Sequence, residues 1–139
     1  LDTLPPGTGK RPALLLRARA AAEVHRLAGG TATATDGLRS VTESLQTWLA
    51  DHPQDAAAWE ALAATSQALG LGLRSMRAGA EARAAVGDLS GAIDRLRAAQ
   101  AVSRKDGGQD FIEASVIDTR LRQLVAQRRQ IALEARNGN

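Results

Sequence analysis

A chain of 139 residues lies within the usual single-domain range and is long enough to bury one core or build one short repeat array. Ala, Leu and Arg dominate and the aromatics are Trp48, Trp59 and Phe111, a balance that favours helix and leaves little for a sheet. Lys+Arg total 18 against 15 for Asp+Glu, a net charge of +3 without a basic run, and the absence of cysteine excludes a disulfide framework, a thiolate zinc site and a cysteine nucleophile while leaving the compartment open.

Residues 1–11 carry Pro5, Pro6, Gly7 and Gly9, a cluster of breakers that reads as a linker. The chain begins at Leu1 without an initiator methionine, which points to a fragment or processed product, and no signal-peptide order of basic, apolar and small residues opens it. Helical periodicity then predicts about six segments, over roughly residues 12–28, 37–51, 56–69, 73–86, 89–104 and 110–134, with residues 135–139 as a tail. Gly29, Gly30 and the threonines up to Thr35 end the first, and Asp36 is placed to cap the second. Pro53 stops the second and Asp55 caps the third. Gly70 or Gly72 turns the chain after it, and Gly87 with Asp88 makes the next turn. Gly107 and Gly108 mark the last break, after which Asp110 and Glu113 have the spacing of a capping box.

Each segment shows one apolar face, for example Trp59, Leu62, Ala63 and Leu69, or Phe111, Ala114, Ile117, Leu121 and Leu124. Six such helices with short loops stack as antiparallel neighbours. Trp59-x-x-Leu62-Ala63-x-x-Ser66 resembles the first-helix half of the tetratricopeptide pattern, and Ala92-x-x-x-Leu96 after Gly87 resembles a second-helix half. The expected fold is therefore all-α: helix pairs stacked as a tetratricopeptide-like superhelix over residues 12–134. The long last helix caps the open end, with Phe111, Ile117, Leu121 and Leu124 as the covering side chains.

The stretch Gly87-Asp88-Leu89-Ser90-Gly91-Ala92-Ile93-Asp94-Arg95-Leu96 and the series Asp110-Phe111, Ala114-Ser115, Ile117-Asp118, Arg120-Leu121 on the last helix resemble the C-terminal end of BepA-type metalloproteases. The likeness is best over residues 55–124. It implies an exported, periplasmic parent enzyme with zinc in an upstream domain, and a tail that docks proteins or peptides such as outer-membrane assembly components or the parent's own protease domain. A free-standing tetratricopeptide adaptor is the alternative.

The chemistry in the chain itself points away from catalysis. A zinc peptidase places two histidines one helical turn apart with a glutamate between them; here His25 and His52 lie on different segments. No glycine-framed serine elbow occurs. Gly7-x-Gly9-Lys10 lacks the spacing and the preceding strand of a phosphate loop. Arg120, Arg122, Arg128, Arg129 and Arg136 load the last helix but are interrupted by Asp118 and Glu134, and three scattered aromatics give no stacking platform for single strands. The expectation is no catalytic residue, no metal or cofactor in this chain, no nucleic acid and no membrane span, since no run approaches roughly 20 apolar residues.

Strict alternation makes the third and fifth segments the first helices of their repeats, which line the groove of a tetratricopeptide superhelix. The candidate partner-binding residues are then Glu60, Ala64 and Gln67 on one and Ser90, Asp94, Arg97 and Arg104 on the other. If Gly87-Asp88 is instead the turn inside a repeat, the groove moves to Arg74, Arg77 and Glu81.

Overall fold

The computed structural model describes residues 10–138. It consists of six helices: α1 (Lys10–Leu27), α2 (Ala32–Asp51), α3 (Ala56–Ala68), α4 (Gly72–Ala85), α5 (Leu89–Lys105) and α6 (Phe111–Asn137). Each packs against the next in sequence, so the all-α, helical-repeat-like stack expected from the periodicity is present. Most of the expected linker lies outside the described residues, and Lys10 and Arg11 belong to α1. Proline at position 12 is compatible with this, because the first helical turn has no N–H partner to lose. At the other end α6 runs through Ala135, Arg136 and Asn137, which the sequence reading had placed in a tail.

Four helices end by one device. After α3, the Gly70 N–H donates to the Gln67 carbonyl and the Leu71 N–H to the Ser66 carbonyl, the paired bonds of a Schellman turn. Gly70 adopts φ +77°, a conformation that costs glycine little and any residue with a Cβ more. The same pair of bonds closes α1 at Gly29, α4 at Gly87 and α5 at Gly107. At Gly87 the following residue is also the next N-cap: Asp88 Oδ1 accepts from the Gly91 N–H at 2.9 Å. Connections this short force successive helices to run antiparallel.

Two local expectations are corrected. Helix α2 starts four residues before Asp36, with the Thr31 hydroxyl accepting from the Ala34 N–H. A threonine caps nearly as well as aspartate, and Ala32 and Ala34 extend the helix back to it. Asp110 does cap α6, but Glu113 does not complete a capping box: its carboxylate is buried and pairs with Arg77 of α4.

Two apolar clusters form the core. One joins α1 to α4 through Leu14, Leu38, Leu45, Trp59, Leu62, Ala78 and Ala82, and the other joins α4 to α6 through Ala80, Ile93, Leu96, Ile117 and Leu124. Helix α4 belongs to both. Ala78 and Ala82 are one turn apart on one side, and Ala80, two residues from each, lies about 200° round the helix on the other. Helices α1, α2 and α3 all touch one another, whereas α4 touches both α5 and α6. Among the described residues α3 and α5 do not meet.

Two ion pairs add to the apolar contact between α4 and α6. Arg77 pairs with Glu113, and Glu81 Oε1 accepts from Arg120 Nε at 2.7 Å. The order of charges along α4 is the reverse of that along α6, so the two bridges hold when the helices run in the same direction in this register. All four side chains are at least two-thirds withdrawn from solvent, where losing one partner strands the other in a poorly solvated position. Ile117 and Leu124 cover the stack as expected, with Leu121 half-buried, but Phe111 does not: it is 78% exposed. It is the first residue of α6, and its side chain lies over the last turn of the α5–α6 loop beside Gly108.

Glu113→Ala is therefore expected to lower unfolding free energy by about 2–4 kcal/mol. A double-mutant cycle with Arg77→Ala should return a coupling energy of at least about 1 kcal/mol in denaturant titrations. Purely additive losses would show that the bridge contributes nothing to α4–α6 packing.

Candidate protein-binding groove

A concavity lies between α1 and α3, helices that run in the same direction with α2 behind them. Its volume is about 690 Å³. The floor is made of Ala18 and Ala22 from α1 and Ala57, Ala61 and Ala64 from α3, with Leu15 at one end. Alanine is what makes the furrow: small side chains on both facing helices leave a space that larger ones would fill. Arg19, Glu23 and Arg26 from α1 and Glu60 from α3 stand along its edges. Arg26 holds Glu23 through two hydrogen bonds, of 2.5 and 3.1 Å, and this bonding keeps the Glu23 carboxyl below its ordinary range. Arg19 and Glu60 have no ion-pair partner among the described residues, so both charges remain available to a ligand.

Of the candidate residues read from sequence, Glu60 and Ala64 line this groove. Gln67 is exposed on the same helix without lining it. Ser90, Asp94, Arg97 and Arg104 lie on a separate, exposed face of α5, because α3 and α5 do not touch. Ser90 accepts from Arg128 of α6 at 3.3 Å, and Arg104 borders a small hollow of about 150 Å³ against α6. The structure thus does not bring the two sets into one groove. Arg77 and Glu81, from the other repeat register, are committed to α6, while Arg74 borders a shallow hollow of about 200 Å³ beside Arg39 and Glu43. The α1 side of the groove went unread in the sequence, although alanines at positions 18, 21 and 22 on one side of a helix are the signal of a close or open furrow.

The N-terminal three-helix unit that shapes the groove converges on Asp55. Its carboxylate accepts from Arg11 Nε and Nη2 at 2.7 and 3.0 Å, from the Trp48 indole at 2.9 Å and from the Ala58 N–H at 3.2 Å. One side chain therefore ties the start of α1, the end of α2 and the start of α3. The Trp59 indole donates to the Pro53 carbonyl at 2.9 Å, and His52 stacks on Trp48 with ring centres 3.7 Å apart. Both tryptophans thus serve the α2–α3 junction, the one helix connection closed without a Schellman turn. Among the described residues no three His, Asp or Glu side chains group as metal ligands, and no helix is long and apolar enough to cross a membrane.

Hydrogen bonding from Arg11, opposed by partial burial and reinforced by Trp48 and the Ala58 N–H, lowers the Asp55 pKa from its ordinary 3.8 to about 2. A carboxylate depressed in the folded state stabilises fully above its unfolded pKa, and the contribution disappears as pH falls through the folded value. Asp55→Asn keeps a capping oxygen but loses the charge, so it should cost about 1 kcal/mol at neutral pH. The difference in melting temperature from wild type should shrink as pH falls below about 4 and be lost only below about pH 2. A difference that is constant with pH would show that the charge on Asp55 does not matter.

No family model, curated protein or solved structure matches the chain, so its functional reading rests on the geometry and chemistry of the α1–α3 groove.

Proposed function

We propose that the chain is a protein-interaction module that binds an extended peptide or a short helix in the α1–α3 groove and performs no catalysis itself. The observation that carries this reading is a furrow of about 690 Å³ floored by alanine and edged by Arg19, Glu23, Arg26 and Glu60. A ligand of small apolar side chains flanked by charges fits both features. The floor rewards close approach and dispersion contacts, and the unpaired Arg19 and Glu60 select orientation more than they add affinity.

Two further features favour a tetratricopeptide-type stack. Gly70 and Gly87, which end successive helices by the same turn, are separated by half of the ~34-residue repeat period. Trp59 and Leu62 fill the buried side of α3, as the first-helix half of the pattern requires. The likeness of residues 55–124 to BepA-type proteases extends the proposal: the module would be the docking tail of an exported zinc metallopeptidase acting in outer-membrane protein assembly or quality control. Zinc would then reside in an upstream domain, and the compartment would be the periplasm.

Panning a displayed random-peptide library against the immobilised chain tests the binding reading. Ala64→Trp, which fills the furrow from an exposed position, should reduce capture of the enriched peptides by roughly tenfold or more. Arg97→Glu with Arg104→Glu, on the α5 face, should leave capture unchanged. Peptides that bind the Ala64→Trp protein normally, or that respond only to the α5 pair, would move the binding site out of the groove.

A further inference from the structure

Helix α1 is apolar on two opposite sides. Leu14 and Ala18 face the core and are buried, whereas Leu16, Val24 and Leu27 are 67%, 54% and 70% exposed. With Ala13 and Ala20, also exposed, these three form one stripe along the outer face of the helix, on the side turned away from the core. A surface helix ordinarily carries charge there. On this face the charged residues are confined to the margins, as Arg17 on one side and Glu23 with Arg19 on the other.

The spacing of the stripe identifies its occupant. From Ala13 the steps to Leu16, Ala20, Val24 and Leu27 are three, four, four and three residues, a sequence of intervals that reads the same from either end. A two-fold axis through Ala20 therefore superposes the stripe on itself with the helix direction reversed. Leu16 then lies opposite Val24 of the second copy, Ala13 opposite Leu27, and Ala20 opposite its own equivalent. Bulky residues meet smaller ones, and the small residue at the axis lets the backbones approach closely. Along one margin Glu23 of each copy comes level with position 17 of the other, an axial offset of about 3 Å from Arg19, so opposite charges adjoin across the axis. An interface with the same patch on both subunits is the ordinary form of a symmetric dimer.

We propose that α1 is a self-docking face on which a second copy of this chain binds antiparallel, centred on Ala20. A single pair of helices about 27 Å long buries less than the roughly 800 Å² per partner of a standard stable interface, so the dimer is reversible and dissociates on dilution. The groove floor lies on the adjoining flank of α1, and Arg19 and Glu23 edge both surfaces. The proposal does not rest on the groove's binding a ligand.

Sedimentation equilibrium over a wide concentration range should show wild type passing reversibly from monomer to dimer. Leu16→Arg and Val24→Glu alter exposed positions, so circular dichroism and melting should be unchanged. Each alone should weaken self-association roughly tenfold or more. An equimolar mixture of the two should recover a heterodimer, because the new arginine then faces the new glutamate. The chain has no cysteine, so Ala20→Cys supplies one thiol at the axis; a short bis-maleimide should link it to its equivalent, and should not link Thr47→Cys on the exposed side of α2. Wild type that stays monomeric at every concentration overturns the proposal, and so does a mixture with no recovery or cross-linking equal at positions 20 and 47.

Discussion

The whole stack depends on α4 being thin on two sides. Ala78 and Ala82 are buried against α3, Ala80 against α5, and none of the three is more than 5% exposed. A helix with one methyl group at each contact lets both neighbours approach to the short end of interaxial distances, and it forms at little cost because alanine has the best helix propensity and no side-chain entropy to lose. The two clusters on either side are built from leucine, isoleucine and tryptophan supplied by other helices, so α4 contributes closeness more than apolar mass. A larger side chain at any of the three positions forces a shift of α3 or α5, because close-packed interiors do not absorb added volume. Arg77 and Glu81 occupy the remaining inward direction and fix α6 by charge.

What could be read from sequence was local. The Schellman glycines and the caps at Asp55, Asp88 and Asp110 depend on a few consecutive residues, and they recur in the structure where the spacing placed them. Asp36 failed because the Thr31 hydroxyl offered a capping oxygen five residues earlier, a competition that propensity does not decide. Glu113 failed for a different reason: its partner, Arg77, lies 36 positions away, and nothing at its own position distinguishes a cap from an ion pair. Phe111 carried the period of the apolar face but fell on the first residue of α6, beyond the helices it was expected to cover.

The groove was only half legible. Glu60 and Ala64 were found because the outward face of α3 follows from its buried tryptophan and leucine. That α1 and not α5 lies beside that face is a matter of how non-consecutive helices stack, which repeat alternation alone does not determine. The outer stripe of α1 was equally unreadable in advance: five apolar residues at helical spacing look like a core face until the structure shows that the core lies on the other side. Together these make α1 the helix on which the proposed functions converge, with one face in the core, one edge on the groove and one side free for a second copy. A dimer through the free side would present two grooves, so a ligand with two matching segments would gain avidity without any new contact.

Helix α4, shared by the two apolar clusters, joins them into one body. Native-state hydrogen exchange at rising sub-denaturing urea tests it most directly, because it assigns an opening free energy to each helix separately. Core amides of α2, α3, α4 and α5 are expected to converge on one global opening, with lower values confined to the helix ends and to the part of α6 beyond Gln130, whose side chains are exposed. If α5 and α6 open together at lower free energy while α1, α2 and α3 stay protected, the two clusters are separate units and α4 is not the partition that unites them.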